Sequence, residues 1–220
     1  MDSAPPGQPV APARSNIYAL TSVIRRIPAS SLFAVGRPLE VELGSGDGSF
    51  LIAYASKCPD RNFMGVERLL GRLNKTNRKS LRLRLENVRL IRIEASYFLE
   101  WLLPLHCLEA LHIYFPDPWP KRKHRRNRLI NERFPELAHR VLKPGGSLHL
   151  RTDDTDYSNQ MLEVMASDPR FRAVQIPASL LEITTDFEAD FLRNGCPIHR
   201  WSFQKHPDAP APVPAPSIPN

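Results

Sequence analysis

A carboxylate followed by a dense run of cations stands near the middle of the chain. Asp117 lies between Pro116 and Pro118 in the segment FPDPWP, and prolines on both sides fix the backbone and keep it out of a helix. Seven basic residues follow at once: Lys121, Arg122, Lys123, His124, Arg125, Arg126 and Arg128. Cations oppose the positive end of a helix dipole, whereas bound phosphate would reverse that penalty. The pattern favours a polyanion-binding segment beside a rigid carboxylate over a solvated charge run.

A glycine-rich turn in PLEVELGSGDGSF, residues 38–50, has the form of a ligand-binding loop. Gly44, Gly46 and Gly48 follow an apolar stretch and precede a helical one, and such a turn brings the backbone close to a ligand at the end of the first strand. The spacing G-x-G-x-G lacks the third Gly or Ala of the dinucleotide fingerprint. We therefore predict an adenosine cofactor without phosphates and disfavour an NAD oxidoreductase.

Two acids accompany this turn. Glu67 ends the segment NFMGVE, where a carboxylate can accept hydrogen bonds from both ribose hydroxyls. Glu42 lies inside an otherwise apolar stretch, and an unpartnered buried carboxylate costs several kcal/mol. We expect Glu42 to meet the ammonium group of a cofactor or a local backbone donor, with a satisfied core polar group as the alternative.

The elements that position these residues alternate between short apolar runs and longer amphipathic stretches. Strands are predicted near 39–43, 62–66, 88–93, 109–115, 147–152, 171–176 and 198–204. Helices are predicted near 48–57, 68–85, 96–103, 127–141 and 155–167. Strands that are apolar on both faces and separated by helices indicate a doubly wound α/β fold with a mostly parallel seven-stranded sheet.

Length and composition fit one globular domain with a polyanionic partner. The chain has 220 residues and a formal net charge of +7. Residues 1–13 and 207–220 are rich in Pro and Ala, so we predict disordered tails on either side of a single domain at 14–206. The positive charge raises the expectation of nucleic acid as a partner.

Several classes of site and location are disfavoured. Cys58, Cys107 and Cys196 are odd in number and widely spaced, so neither a disulfide framework nor a metal site is expected. The N-terminal stretch does not resemble a signal peptide and no apolar run could span a bilayer, which favours the cytoplasm and no membrane partner. No obligatory protein partner is indicated, and the protein is expected to be a monomer or a homodimer.

A second basic zone extends from Arg68 to Arg92. Positions 68, 72, 75, 79 and 82 are all Lys or Arg and step by three or four residues, which lines one helix face with cations. A track for an RNA backbone and a solvated helix explain this pattern equally well.

The glycine turn, the acid in VELGSG and the terminal Glu67 resemble the Rossmann-like S-adenosylmethionine-dependent methyltransferases. Within that class, FPDPWPKRKHRRNRL and TDFEADFLRNGCPIHR (185–200) resemble the two signatures of the bacterial tRNA (guanine-N7-)-methyltransferase family. RTDDTDYSNQM (151–161) is similar to that family's Thr-Asp segment, and the resemblance covers roughly 36–205. It implies methyl transfer from S-adenosylmethionine to N7 of a guanosine in the variable loop of tRNA.

The resemblance also implies roles for individual residues. Cofactor contacts would fall on Glu42, Gly44, Gly46, Gly48, Glu67, Glu94, Ala95 and Asp117. Contacts to tRNA would fall on Lys121, Asp153, Thr185, Asp186, Phe187 and Glu188. Asp186 stands where a basic residue is common in the family, and Glu94 stands where Asp or Asn is common.

Guanine chemistry adds an independent argument for three of these acids. The Watson–Crick edge of guanine offers two parallel donors, which suit a carboxylate from Asp117, Asp153 or Glu188. Asp117 is assigned the catalytic role, since it would stabilise the cationic ring that forms as N7 is methylated. In the alternative, Asp153 caps the helix near 155, Thr185 is only an N-cap, and Glu188 is a surface acid.

Other functions stay open at this stage. A methyltransferase acting on rRNA or a small molecule would keep the glycine turn but would not need the basic block. An RNA-binding protein that has lost its cofactor should have a broken turn or lack Glu67, and neither defect is present.

Overall fold

The central element is a seven-stranded sheet in a computed structural model that describes residues 15–209. The predicted tails lie outside the described residues, except for 207–209. The strands are β1 (Leu39–Leu43), β2 (Asn62–Val66), β3 (Val88–Ile91), β4 (Leu108–Tyr114), β5 (Leu142–Thr152), β6 (Phe171–Ala173) and β7 (His199–Lys205). The helices are α1 (Ser49–Lys57), α2 (Leu70–Arg82), α3 (Ala95–Tyr97), α4 (Phe134–Val141), α5 (Thr155–Ala166), α6 (Ala178–Leu181) and α7 (Asp186–Arg193).

The strand order is β3-β2-β1-β4-β5-β7-β6. Strands β1 to β5 are parallel, and β7 runs antiparallel to both β5 and β6. The chain moves outward in one direction from β1 to β3 and returns through β4 on the other side. This reversal opens a crevice at the carboxyl ends of β1 and β4, where open α/β sheets bind ligands. The predicted fold class is confirmed.

Apolar packing covers both faces of the central strands. Val41, Leu111 and Leu148 belong to the larger of two buried clusters, and Phe50 of α1 belongs to the smaller one. All five residues of β1 and of β2 are buried, and those of β1 include the two carboxylates Glu40 and Glu42. None of the helices within 15–209 is long and apolar enough to cross a membrane.

The predicted helix at 127–141 is wrong in its first half. Residues Arg122–Asn127 form a 3-10 helix, and α4 begins only at Phe134, with Pro135 in its first turn. The side chain of Arg128 is drawn inward to acceptors elsewhere in the fold, which holds the intervening backbone outside a helix. Proline at the start of α4 then fixes where regular helix begins.

Other boundaries differ by less. The predicted helix at 68–85 ends at Arg82, because the chain turns through a left-handed Arg84 with a φ of 52°. The helix predicted at 96–103 is α3 followed by a π-helical turn at Phe98–Leu102. Strand β5 starts earlier than predicted and β6 is shorter.

Candidate active site

A cleft of about 360 Å³ opens at the carboxyl edge of the sheet. Five of the residues predicted to hold a cofactor line it: Gly44, Glu67, Glu94, Ala95 and Asp117. They come from the ends of β1, β2, β3 and β4. The topology therefore gathers into one site residues that are up to 73 positions apart in the sequence.

The glycine turn contributes Gly44 to the lining of this cleft, whereas Gly46 and Gly48 are not among the lining residues. Gly44, Gly46 and Gly48 have φ values of 73°, 55° and 82°, a region that side chains rarely adopt. The hydroxyl of Thr76 on α2 donates to the carbonyl of Gly46 at 3.1 Å. A Cβ atom at Gly48 would lie 2.5 Å from the Thr76 methyl carbon, so that position also needs glycine for close packing.

The carboxylates of Glu67 and Glu94 are fixed by backbone donors. Glu67 accepts from the N–H of Gly46 at 3.0 Å and from that of Leu69 at 2.7 Å. Glu94 is the N-cap of α3 and accepts from the N–H groups of Ser96 and Tyr97. Each carboxylate oxygen retains a further lone pair, so both acids can also accept from a ligand in the cleft.

Glu42 lies two residues before the glycine turn, and one of its carboxylate oxygens lacks a hydrogen-bond partner within residues 15–209. Its Oε2 is buried and has no hydrogen-bond partner among the described residues, and the same holds for Oγ of Ser45. Burial raises the pKa of Glu42 well above its ordinary value, against the opposing positive charge of Arg151. An orphaned acceptor beside a glycine turn fits an adenosine cofactor that also carries an ammonium group.

Asp117 stands exposed at the mouth of the cleft. The backbone is left-handed at Phe115 and Trp119, with φ values of 52° and 45°, so the loop is sharply folded on both sides of this acid. Asp117 makes no hydrogen bond or ion pair with another residue in the range 15–209. Its carboxylate is exposed at the cleft, and its action on a substrate stays a prediction.

The basic block is only partly available to a polyanion. Arg128 is 1% exposed and donates to the Pro118 carbonyl, Gln160 and Asp156, each at 2.7 Å. Arg125 also pairs with Asp156, at 2.9 Å. The expectation that Arg128 faces phosphate is therefore wrong. The exposed cations without a carboxylate partner in the described chain are Lys121, Arg122, Lys123 and Arg126.

Asp153 is not the N-cap of α5, which was the alternative role considered for it. The N-cap of α5 is the next residue, Asp154, whose side chain accepts from the N–H of Tyr157 at 2.7 Å. Asp153 itself is half-buried, and its carboxylate makes no hydrogen bond with any residue that the structure describes. It remains a candidate for the guanine edge.

Of the four residues predicted to contact tRNA at 185–188, two are buried and two are exposed. Thr185 is buried and is the N-cap of α7, accepting from the N–H of Glu188 at 3.0 Å. Glu188 is not a surface acid: it is 2% exposed and pairs with Arg151 at 2.7 Å and with Arg200. Asp186 is exposed, and Phe187 is 47% exposed, so these two face outward.

Sequence reasoning missed Arg151 near the site, and it placed Arg72 on a basic helix face without assigning it to the cleft. Arg151 on β5 is 3% exposed, and its guanidinium lies 4.4 Å from the centre of the Tyr114 ring, which lines the cleft. Arg72 lines the same cleft and stands 5.9 Å from the ring centre of Phe187. A charged residue within the apolar stretch SLHLRT was the available signal for Arg151.

The cations of α2 also divide into two groups. Lys79 is half-buried and pairs at 3.0 Å with Asp47, which belongs to the glycine turn. Arg72, Lys75, Arg78 and Arg82 are exposed, as is Arg68 just before the helix. Only the exposed group can form the backbone track that the spacing suggested.

A larger cleft, of about 820 Å³, lies at the opposite edge of the sheet. Its lining includes Glu136, Asp168, Arg170 and His206 and contains none of the predicted site residues. Arg170 is held there by Glu136 and Asp168. Its position at the amino ends of the parallel strands separates it from the chemistry described above.

Comparisons with known proteins agree with this arrangement. Residues 36–201 match a family described as a putative methyltransferase. A tRNA (guanine-N(7)-)-methyltransferase from Rubrobacter xylanophilus is 36% identical over 183 residues, which cover 80% of this chain and 82% of that protein. A protein of the same name from Halorhodospira halophila is 33% identical over 187 residues, with 83% and 81% covered.

Among solved structures, the 16S rRNA methyltransferase KamB superposes with a TM-score of 0.58. The match covers 81% of this chain and 92% of that one at 16% sequence identity. Such a distant likeness bears on the fold alone.

Proposed function

The chain belongs to the tRNA (guanine-N(7)-)-methyltransferase family, and on that premise we propose that it methylates N7 of a guanosine in the variable loop of tRNA. The observation that carries the proposal is the meeting of two features in one cleft. Gly44 of the glycine turn and Glu67, the acid proposed for the ribose, line the same cleft as Asp117, a carboxylate without a partner among residues 15–209. That combination suits a methyl donor on one side and a base that becomes cationic on the other.

Each cofactor-binding residue has a distinct task in the proposal. S-adenosylmethionine, when bound, supplies an electrophilic methyl group on a sulfonium. Glu67 accepts from the ribose hydroxyls, and Glu42 with Ser45 offers buried acceptors to the amino-acid end. Gly44 and Gly46 leave space for the cofactor because they carry no side chains. Glu94 and Ala95 lie beside its adenine.

The reaction asks for positioning and electrostatics more than for proton transfer. Guanine N7 carries an in-plane lone pair, so no residue has to remove a proton before N7 attacks the methyl carbon. As the new C–N bond forms, positive charge develops on the base, and the exposed carboxylate of Asp117 stabilises it. Asp153 accepts the donors on the Watson–Crick edge and thereby orients N7 towards the methyl group.

Recognition of tRNA follows from the exposed cations. Four exposed cations stand a few residues after Asp117, and in the proposal they bind phosphates beside the target base: Lys121, Arg122, Lys123 and Arg126. The exposed face of α2 extends this contact along the RNA backbone. These contacts offset the cost of about a few kcal/mol for extruding a base from the folded tRNA.

Nucleoside analysis tests the proposal. Purified protein is incubated with S-adenosylmethionine and unmodified tRNA transcripts, which are then digested to nucleosides. We expect 7-methylguanosine with wild type and a large loss with Asp117→Asn. Methylation of ribosomal RNA in place of tRNA, or of another guanine atom, would contradict the proposal.

A further inference from the structure

Three acceptors from one surface segment converge on a single buried guanidinium. Arg151 donates to the carbonyl of Ile183 at 2.8 Å, to the carbonyl of Leu180, and to the carboxylate of Glu188 at 2.7 Å. These acceptors all belong to residues 178–193, here called the α6–α7 segment. Arg151 comes from β5 in the centre of the sheet, so it ties this segment to the rigid part of the fold.

Both carboxylate oxygens of Glu188 are engaged in ion pairs with arginines. Oε2 pairs with Arg151 and Oε1 pairs with Arg200 on β7, and the residue is 2% exposed. A carboxylate enclosed by two guanidinium groups would have to break a buried ion pair to reach a base. Such a break is expensive, since it leaves an uncompensated charge in a buried site.

What the segment presents outward is a line of rings beside the cleft. The ring centres of Phe191 and Phe187 lie 6.5 Å apart, and that of Phe191 lies 5.4 Å from the ring of Phe115, two residues before Asp117. Arg72, which lines the cleft, stands over Phe187. The position of this line relative to Asp117 depends on where Arg151 holds α7.

We propose that Arg151 is a positioning residue for the methylation and that Glu188 serves the reaction through Arg151 and Arg200, without contacting the base. This inference rests on the proposed function and adds to it. Arg151 fixes the α6–α7 segment at the mouth of the cleft, so that Asp186 and the Phe187 ring meet the tRNA in one arrangement. The planar fork of arginine is required, since it reaches three acceptors at once.

A double-mutant cycle between Arg151→Met and Glu188→Gln tests the proposal. We expect each single variant to raise KM for tRNA by about tenfold, with a smaller change in kcat and with the affinity for S-adenosylhomocysteine within about threefold of wild type. The double variant should lose no more than Arg151→Met alone, because both changes release the same anchor. Additive losses would instead mean that Glu188 contacts the base itself, and would overturn the proposal.

Hydrogen exchange provides a readout independent of methylation. Amides in the α6–α7 segment should exchange faster in Arg151→Met, while those of β1 and β4 keep their protection. Arg172→Met, at an exposed position on β6, is the matched control and should change neither exchange nor KM. Unchanged exchange in Arg151→Met, or faster exchange with an unaltered KM for tRNA, would contradict the proposal.

Two further arms keep the outcomes distinct. If Arg151→Met does not fold, Arg151→Lys replaces it in the cycle; Lys retains the charge and should give an intermediate rise in KM and in exchange. If wild type forms no 7-methylguanosine, the proposed function fails, and KM is then replaced by the filter-binding affinity for tRNA. Equal tRNA affinity of wild type and Arg151→Met would then overturn the positioning role as well.

Discussion

The side chain of Glu67 and the backbone N–H of Gly46 are joined by a 3.0 Å hydrogen bond between the second strand and the glycine turn. The acid that we propose for the ribose of the cofactor therefore also holds the glycine turn. Its other oxygen holds the N–H of Leu69 just before α2. One side chain links three parts of the site.

Loss of Glu67 should consequently affect both binding and folding. We expect Glu67→Ala to weaken S-adenosylmethionine binding by about 1.5–3 kcal/mol, the range for charged hydrogen bonds, and to lower the melting temperature because two N–H groups lose their acceptor. Titration calorimetry and thermal unfolding measure the two effects. Glu86→Ala, at an exposed acid, is the control; equal cofactor affinity in both variants would remove Glu67 from the site.

Replacing Asp117 or Asp153, which have no partner among residues 15–209, should change different kinetic parameters. Asp117→Asn keeps the shape but removes the charge, so kcat should fall by about 100- to 1,000-fold with little change in tRNA affinity. Asp153→Asn should mainly raise KM for tRNA, because the amide loses one of two acceptors for the guanine edge. Steady-state kinetics with tRNA as the varied substrate distinguishes the two patterns, and the reverse pattern would exchange the assigned roles.

Arg128 should contribute to stability where its neighbour Arg126 contributes to RNA binding. Arg128→Met removes three hydrogen bonds and a guanidinium 4.7 Å from the Tyr157 ring centre, and should lower the free energy of unfolding by about 2–3 kcal/mol. Arg126→Met should leave stability unchanged but weaken tRNA binding. Urea denaturation and filter binding on both variants give the comparison, and equal stability would show that the burial of Arg128 has no energetic weight.

The salt dependence of tRNA binding should distinguish the exposed cations of α2 from Lys79, which is paired with Asp47. Replacing Lys75, Arg78 and Arg82 by Gln should reduce the slope of log K for tRNA against log salt by about two units, since each phosphate contact contributes roughly 0.7 to 0.9. Lys79→Gln should leave the slope unchanged, because its partner is Asp47. Parallel titration lines for the triple variant and wild type would restrict the RNA contact to the block after Asp117.

Glu42 should make the stability of the cofactor-free protein depend on pH. Its pKa is raised by burial, so the folded protein holds a proton on this acid at pH values where the unfolded chain has lost it. The contribution is greatest below the ordinary carboxyl pKa and is lost as pH rises towards the raised value. Glu42→Gln should therefore flatten the decline in unfolding free energy as pH rises above the ordinary carboxyl pKa. Denaturation at several pH values, with Glu86→Gln as control, measures it; an unaltered slope would indicate that Glu42 is already ionised.

The positions of the strands were predictable because both of their faces are buried. That burial makes the strands rich in apolar residues, although β1 also holds Glu40 and Glu42, and parallel strands then place Gly44, Glu67 and Asp117 at one edge. The irregular stretch before α4 was not predictable, because Arg128 is held by Asp156, 28 residues away. The anchoring of Glu188 was hidden for the same reason, since its partners come from β5 and β7.

Thr76 packs against Gly48 and donates to Gly46, which makes α2 and the glycine turn parts of one body. The opposite side of this helix carries the exposed cations. Under the proposed function, tRNA bound to that side would rest on the same body as the loop that receives the methyl donor. By thermodynamic reciprocity, whatever factor tRNA imposes on the affinity for the donor, the donor imposes on the affinity for tRNA.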